Sequence, residues 1–138
     1  MQVRRTEYGV HVVRANDSEF WRKQFEETEQ TTGLDRQTAF WPQAEGGATD
    51  ALWFGRVSTP PGMDSGPHHH GRAETACYVM SGHFQLSFGE NYGEVAEMGP
   101  GDFVYLKAFV PHIERNLSET EPVEFIVVRH PANIIVNL

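Results

Sequence analysis

Apolar and polar residues alternate in short runs along most of this chain, and turn-forming residues cut the runs at regular intervals. In the C-terminal part, Ala51 to Ser58 (ALWFGRVS) is the first run, and Glu74 to Met80 (ETACYVM) is the next, stopped by Ser81-Gly82. His83 to Phe88 (HFQLSF) leads into a turn at Gly89-Glu90-Asn91, and Tyr92 to Glu97 is short. Met98 to Asp102 (MGPGD) reads as a tight turn. Phe103 to Leu106, His112 to Asn116 and Val123 to Arg129 then read as strands, and Asn133 to Leu138 adds a last one. About eight strands spaced roughly 8–12 residues apart, with no amphipathic helix between them, predict an all-β sandwich or barrel.

The first 48 residues follow a different pattern. Val10 to Arg14 reads as a short strand. Asn16, Asp17 or Ser18 is placed to cap a helix over Ser18 to Glu29, with Phe20, Trp21 and Phe25 on one side and a stop at Thr31-Thr32-Gly33. Pro42 and Gly46-Gly47 mark a loop. The chain therefore divides into an N-terminal extension over 1–48 and a barrel over 49–138.

Composition narrows the function. With 19 acidic and 11 basic residues the net charge is −8, which argues against a nucleic-acid or anionic-membrane partner, since both require clustered Lys and Arg. The one cysteine, Cys77, excludes a disulfide within the chain. Met1 to Arg5 runs into Thr6-Glu7-Tyr8 and not into an apolar stretch, and no window is apolar for long enough to span a bilayer. A cytoplasmic protein is the expectation.

Four of the seven histidines fall in two places, Gly66-Pro67-His68-His69-His70-Gly71-Arg72-Ala73-Glu74 and Val110-Pro111-His112. Residues two apart on a strand share a face, so His68 and His70 converge while His69 points away. Glu74 has the same parity, and His112 returns to the same interior two or three strands later. Three imidazoles and one carboxylate suit a borderline divalent ion such as Fe(II), Mn, Ni, Zn or Cu. A six-coordinate ion keeps two open positions, whereas zinc would be nearly closed and structural. The alternative is a solvated histidine cluster and an unrelated loop histidine after Pro111.

The order of these groups discriminates further. Gly62, five residues, His68-x-His70, three residues, Glu74 and then Gly82 resembles the first motif of the cupin superfamily. Gly101 followed by Pro111-His112-x-x-x-Asn116 resembles the second. Tyr78-Val79-Met80-Ser81-Gly82 and Gly99-Pro100-Gly101-Asp102-Phe103 are similar to the connecting phrases, and the likeness spans roughly Trp53 to Arg129. There are two departures. Lys107 and Phe109 stand where motif two has Pro-x-Gly, and seven residues separate Glu74 from Gly82 where the motif has six.

The resemblance implies a small jelly-roll β-barrel holding a metal on His68, His70, Glu74 and His112. By parity Tyr78, Met80, Glu114 and Asn116 face the same interior. Tyr78, Tyr105 and Glu114 are the candidates for proton transfer or hydrogen bonding to a small-molecule substrate. The first functional reading is a mononuclear non-haem dioxygenase or other oxidoreductase. The alternatives are a non-catalytic metal- or metabolite-binding protein, and a natural-product-pathway enzyme of isomerase, lyase or N–N bond-forming type. Trp21, Phe40 and Trp41 in the extension suit a subunit interface, so a homodimer is expected.

Overall fold

The structure is a computed structural model and describes residues 4–5, 9–27 and 35–138. Twelve strands and one α-helix are named in chain order: β1 Arg4–Arg5, β2 His11–Val12, α1 Ser18–Glu27, β3 Asp35–Phe40, β4 Trp53–Thr59, β5 His68–His69, β6 Glu74–Ser81, β7 Phe84–Phe88, β8 Glu94–Met98, β9 Phe103–Leu106, β10 His112–Arg115, β11 Val123–His130 and β12 Val136–Asn137. Ten of the strands form two antiparallel sheets. One runs β12-β5-β10-β7-β8 and the other β3-β4-β11-β6-β9, so strands distant in sequence lie side by side, as in a jelly roll. The expected all-β jelly-roll barrel is what the structure shows.

The alternating strand sequences seat the core between the sheets. On β11 the side chains of Val123, Phe125, Val127 and Arg129 point inward. The register places Trp53, Gly55, Val57 and Thr59 of β4 opposite them on one side, and Thr75, Cys77 and Val79 of β6 on the other. From the facing sheet Phe84, Leu86 and Met98 complete an apolar cluster, in which the Phe84 and Phe125 rings stack 5.4 Å apart. On β4, Trp53 and Val57 thus face in, and Arg56 is exposed.

The helix forms where its cap is placed. Asp17 Oδ1 accepts the Phe20 backbone N–H at 3.1 Å, satisfying one of the free donors of the first turn. Phe20 is buried against Trp41, and Trp21 Nε1 donates to the Arg14 carbonyl. Glu29, the stop expected at Thr31-Thr32-Gly33 and the side-chain placement expected for Phe25 lie outside the described residues. β3 falls on the N-terminal side of residue 48 and pairs with β4. Its buried residues are Arg36 and Thr38, so it has no apolar-polar alternation to announce it.

One parity expectation is corrected. His70 and Glu74 do not share a face, because Gly71 (φ +56°) and Arg72 make a turn closed by the Ala73 N–H on the His70 carbonyl. The chain crosses there from one sheet to the other, and alternation restarts with Thr75 inward and Glu74, Ala76, Tyr78 and Met80 outward.

Gly82, between β6 and β7, has φ +83°, and an added Cβ would meet the Pro122 carbonyl and lie 2.8 Å from Val123 Cα. Gly101 has φ +91° and open space around it. Gly82→Ala should therefore cost roughly 3 kcal/mol or more, and Gly101→Ala about 1 kcal/mol. Urea unfolding midpoints check this, and equal losses would show that the close approach at Gly82 does not matter.

Candidate metal centre

Strand pairing brings the two histidine segments together, since β10 lies beside β5 with His112 directly opposite His68. His68, His70 and His112 are all buried, and each offers one ligand nitrogen such that the three nitrogens lie within 4.8 Å of one another. Ring centroids are 4.3 Å apart for His68 and His112, 5.1 Å for His70 and His112, and 5.2 Å for His68 and His70.

Each ring is oriented by the backbone. Nδ1 of His68 lies 3.0 Å from the Gly66 carbonyl, Nδ1 of His70 2.8 Å from that of Ile134, and Nδ1 of His112 2.9 Å from that of Val110. A carbonyl only accepts, so each Nδ1 carries the proton and each Nε2 keeps its lone pair for the interior. His69 has the opposite tautomer, because its Nδ1 accepts the Gly71 N–H at 2.9 Å. Its ring turns away to pack against Phe109.

Burial keeps the trio neutral. Desolvation is the largest influence on each ring, with Arg129 adding to it; His68 is lowered from its ordinary value, His70 falls to about 2 and His112 to about 4. Neutral imidazoles with converging lone pairs are what a divalent transition ion requires, so the residues present fit the expected group.

Two ionisable groups share this interior. Glu114 is buried two residues along β10 from His112, and its Oε1 has no hydrogen-bond partner. Burial pushes its carboxyl up to about 7 against the downward pull of Arg129 and Arg36. Arg129 is 7% exposed. Its Nε donates to Thr75 Oγ1 at 3.1 Å, its Nη1 to Asn133 Oδ1 at 2.8 Å and its Nη2 to His70 Nε2 at 3.4 Å, and it lies over the Trp53 ring. Sequence reasoning gave Arg129 no role. The available signal was its place in VEFIVVR, in register with the inward Val123, Phe125 and Val127.

The remaining expected site residues lie elsewhere. Glu74 is exposed on the outer face, where its Oε1 accepts the Tyr105 hydroxyl at 2.8 Å. Tyr78 is on the same face, against Phe103. Glu74, Tyr78 and Tyr105 are thus corrected from pocket to surface: for the first two the restarted alternation after Gly71 is the reason, and Tyr105 lies on β9 opposite the outward Ala76. Asn116 is buried, but its Nδ2 donates to the carbonyls of Thr59, Pro60 and Glu121. It fastens the loop after β10. Cys77 is half-buried, and desolvation raises its thiol to about 12, which suits packing and not nucleophilic attack. No helix among the described residues is long and apolar enough to cross a membrane.

Residues 55–129, more than half of the chain, match the cupin domain family. Solved structures share the fold at low sequence identity. A Klebsiella pneumoniae protein with a double-stranded β-helix domain is 22% identical with a TM-score of 0.60, over 80% of this chain and 90% of that one. The polyketide cyclase RemF from Streptomyces resistomycificus is 19% identical with a TM-score of 0.64, over 80% and 76% respectively. KdgF from Halomonas sp. is 22% identical with a TM-score of 0.58, over 75% and 84%. No curated protein matches the chain. The family match, the two-sheet topology and the histidines carried by β5, its following residue and β10 agree: this chain belongs to the cupin family.

Proposed function

We propose that the protein is an enzyme that holds one divalent transition ion, Fe(II), Mn, Ni or Zn, on His68, His70 and His112 and acts on a small organic molecule. The observation that supports this is the grouping of one ring nitrogen from each of three buried histidines within 4.8 Å, each ring oriented by its Nδ1 on a backbone carbonyl. A bound ion would supply Lewis acidity or redox chemistry at the positions the protein leaves open. Oxygenase-type oxidoreductase chemistry is the first reading, because three neutral ligands leave room for more than one further ligand on a six-coordinate ion. Glu114 favours a second reading, proton transfer of the isomerase or lyase kind. It is the buried carboxyl on the imidazole side of β10, and its Oε1 is free to hold or deliver a proton.

Metal-stripped protein titrated with each of the four ions tests the site. His112→Ala should weaken binding by more than about 100-fold, and His69→Ala should change it by less than about threefold. Equal losses would place the ion elsewhere. Oxygen consumption by the Fe(II) or Mn form supports the oxygenase reading; stoichiometric binding with neither oxygen uptake nor proton exchange into added substrates would leave a binding protein.

The pH dependence of the metal-free protein follows from the same burial. The folded pKa values of His70 and His112 lie below 6.5, so the unfolded chain binds more protons and stability falls as pH drops below about 6.5. Glu114 acts in the opposite direction: its folded pKa of about 7 lies above the unfolded 4.5, so it adds stability as pH falls through this window. Three imidazoles outweigh one carboxyl, so unfolding midpoints in urea should drop between pH 7.5 and about 5. Glu114→Gln should make the drop steeper, and a flat profile in both proteins would contradict neutral burial of the trio.

A further inference from the structure

The buried end of β11 carries a cation whose partners are all neutral. Arg129 contacts a threonine hydroxyl, an asparagine carbonyl oxygen and an imidazole nitrogen, and it makes no ion pair with a carboxylate among the described residues. A guanidinium has five N–H donors, and these three contacts leave two of them unused. Glu114 lies in the same interior, yet its Oε1 is without a hydrogen-bond partner and is not joined to Arg129.

The contact to His70 sharpens this. An imidazole Nε2 has one lone pair, which here receives the Arg129 N–H at 3.4 Å. If an ion takes that lone pair, Nη2 loses its acceptor inside a buried space. The ion also brings positive charge beside the guanidinium, while Glu74, the one carboxylate expected as a ligand, is turned to the outer face. Two adjacent buried positive charges need a counter-charge; the imidazole trio provides none, and Glu114, the carboxyl in this interior, makes no hydrogen bond to Arg129.

We infer that the small molecule bound at this site is a carboxylate, received by Nη2 of Arg129 above Trp53 while its other oxygen-bearing end reaches the three imidazoles. This rests on the metal reading for the second contact, but the Arg129 contact stands apart from it. A planar carboxylate matches one edge of a guanidinium. A phosphate would call for further donors, and the contacts around Arg129 include no lysine and no loop of converging backbone amides.

Lactate and its neutral amide, lactamide, are the probes, followed by tryptophan fluorescence because Trp53 lies against the guanidinium, its ring centroid 5.6 Å from Cζ. The zinc-loaded protein should bind lactate saturably and at least about tenfold more tightly than lactamide. The metal-free protein should bind it more weakly, since Arg129 then remains engaged with His70. Trp53→Phe should abolish the signal while calorimetry still detects binding. Arg129→Met should remove the preference for lactate. Arg129→Lys, which keeps the charge without the fork, should weaken binding by about tenfold and keeps the test decisive if the methionine variant does not fold. Equal binding of lactate and lactamide, unchanged lactate affinity in either folded Arg129 variant, or tighter binding of inorganic phosphate would each overturn the proposal. Arg129-dependent lactate binding without zinc uptake would instead refute the metal reading and leave the anion site standing.

Discussion

Three backbone carbonyls govern what this interior can hold. Those of Gly66, Val110 and Ile134 each take the Nδ1 proton of one histidine, and so each decides which nitrogen faces inward. The carbonyls come from three separate places: the loop before β5, the loop before β10 and the segment before β12. Each would otherwise need another donor, so the histidine satisfies the backbone as the backbone orients the histidine. The site therefore depends on barrel closure, because its anchors lie far from one another along the chain. His70 and Ile134 are 64 positions apart.

The interior is divided lengthwise. Toward Phe84, Met98 and Val123 it is apolar and closely packed, with the Phe84 and Phe125 rings stacked. Toward His68, His112 and Arg129 it is polar. β11 shows the change within a single strand, where three inward apolar side chains are followed by Arg129, and the short β10 contributes His112 and Glu114 to the polar end. The apolar end supplies burial energy of roughly 25 cal/mol per Å2. That support allows the polar end to retain groups that would be costly to bury alone. A groove of about 500 Å3 lined by His83, Gln85, Glu97 and Asp102 opens at the Phe84 end of β7. His112 pairs with Phe88, at the other end of that strand.

Period-two alternation was legible wherever a strand ran without interruption. It placed His68 beside His70 and set His112 and Glu114 on one face. It failed at Gly71, where a left-handed turn carries the chain from one sheet to the other. Counting by twos through that turn put Glu74 and Tyr78 inside when they are outside. The likeness to the cupin motif reinforced the error, since Glu74 matches by type and order but its carboxylate is held by Tyr105 on the surface. β3 was illegible for a different reason. Its inward residues are an arginine and a threonine, and hydrophobic patterning does not register a strand that buries polar groups. Arg129 was hidden in the same way at the end of an apolar run.

These misses share a cause, and it bears on the chemistry. The positions that escaped sequence reading are the charged ones whose placement depends on tertiary context: Arg36 and Arg129 inside, Glu74 outside. With Glu74 turned out and Arg129 turned in, the group beside His70 is a guanidinium and not the carboxylate expected as a fourth ligand. Burial then acts on every group in the same sense, disfavouring charge. It lowers the three imidazoles, raises Glu114 toward neutrality, and lowers Arg129 to about 10, which still leaves a cation at neutral pH. The histidines and the glutamate can respond by becoming neutral, whereas the arginine cannot. Arg129 therefore keeps its charge beside His70, and a negatively charged ligand would complement it whichever reaction the imidazoles support.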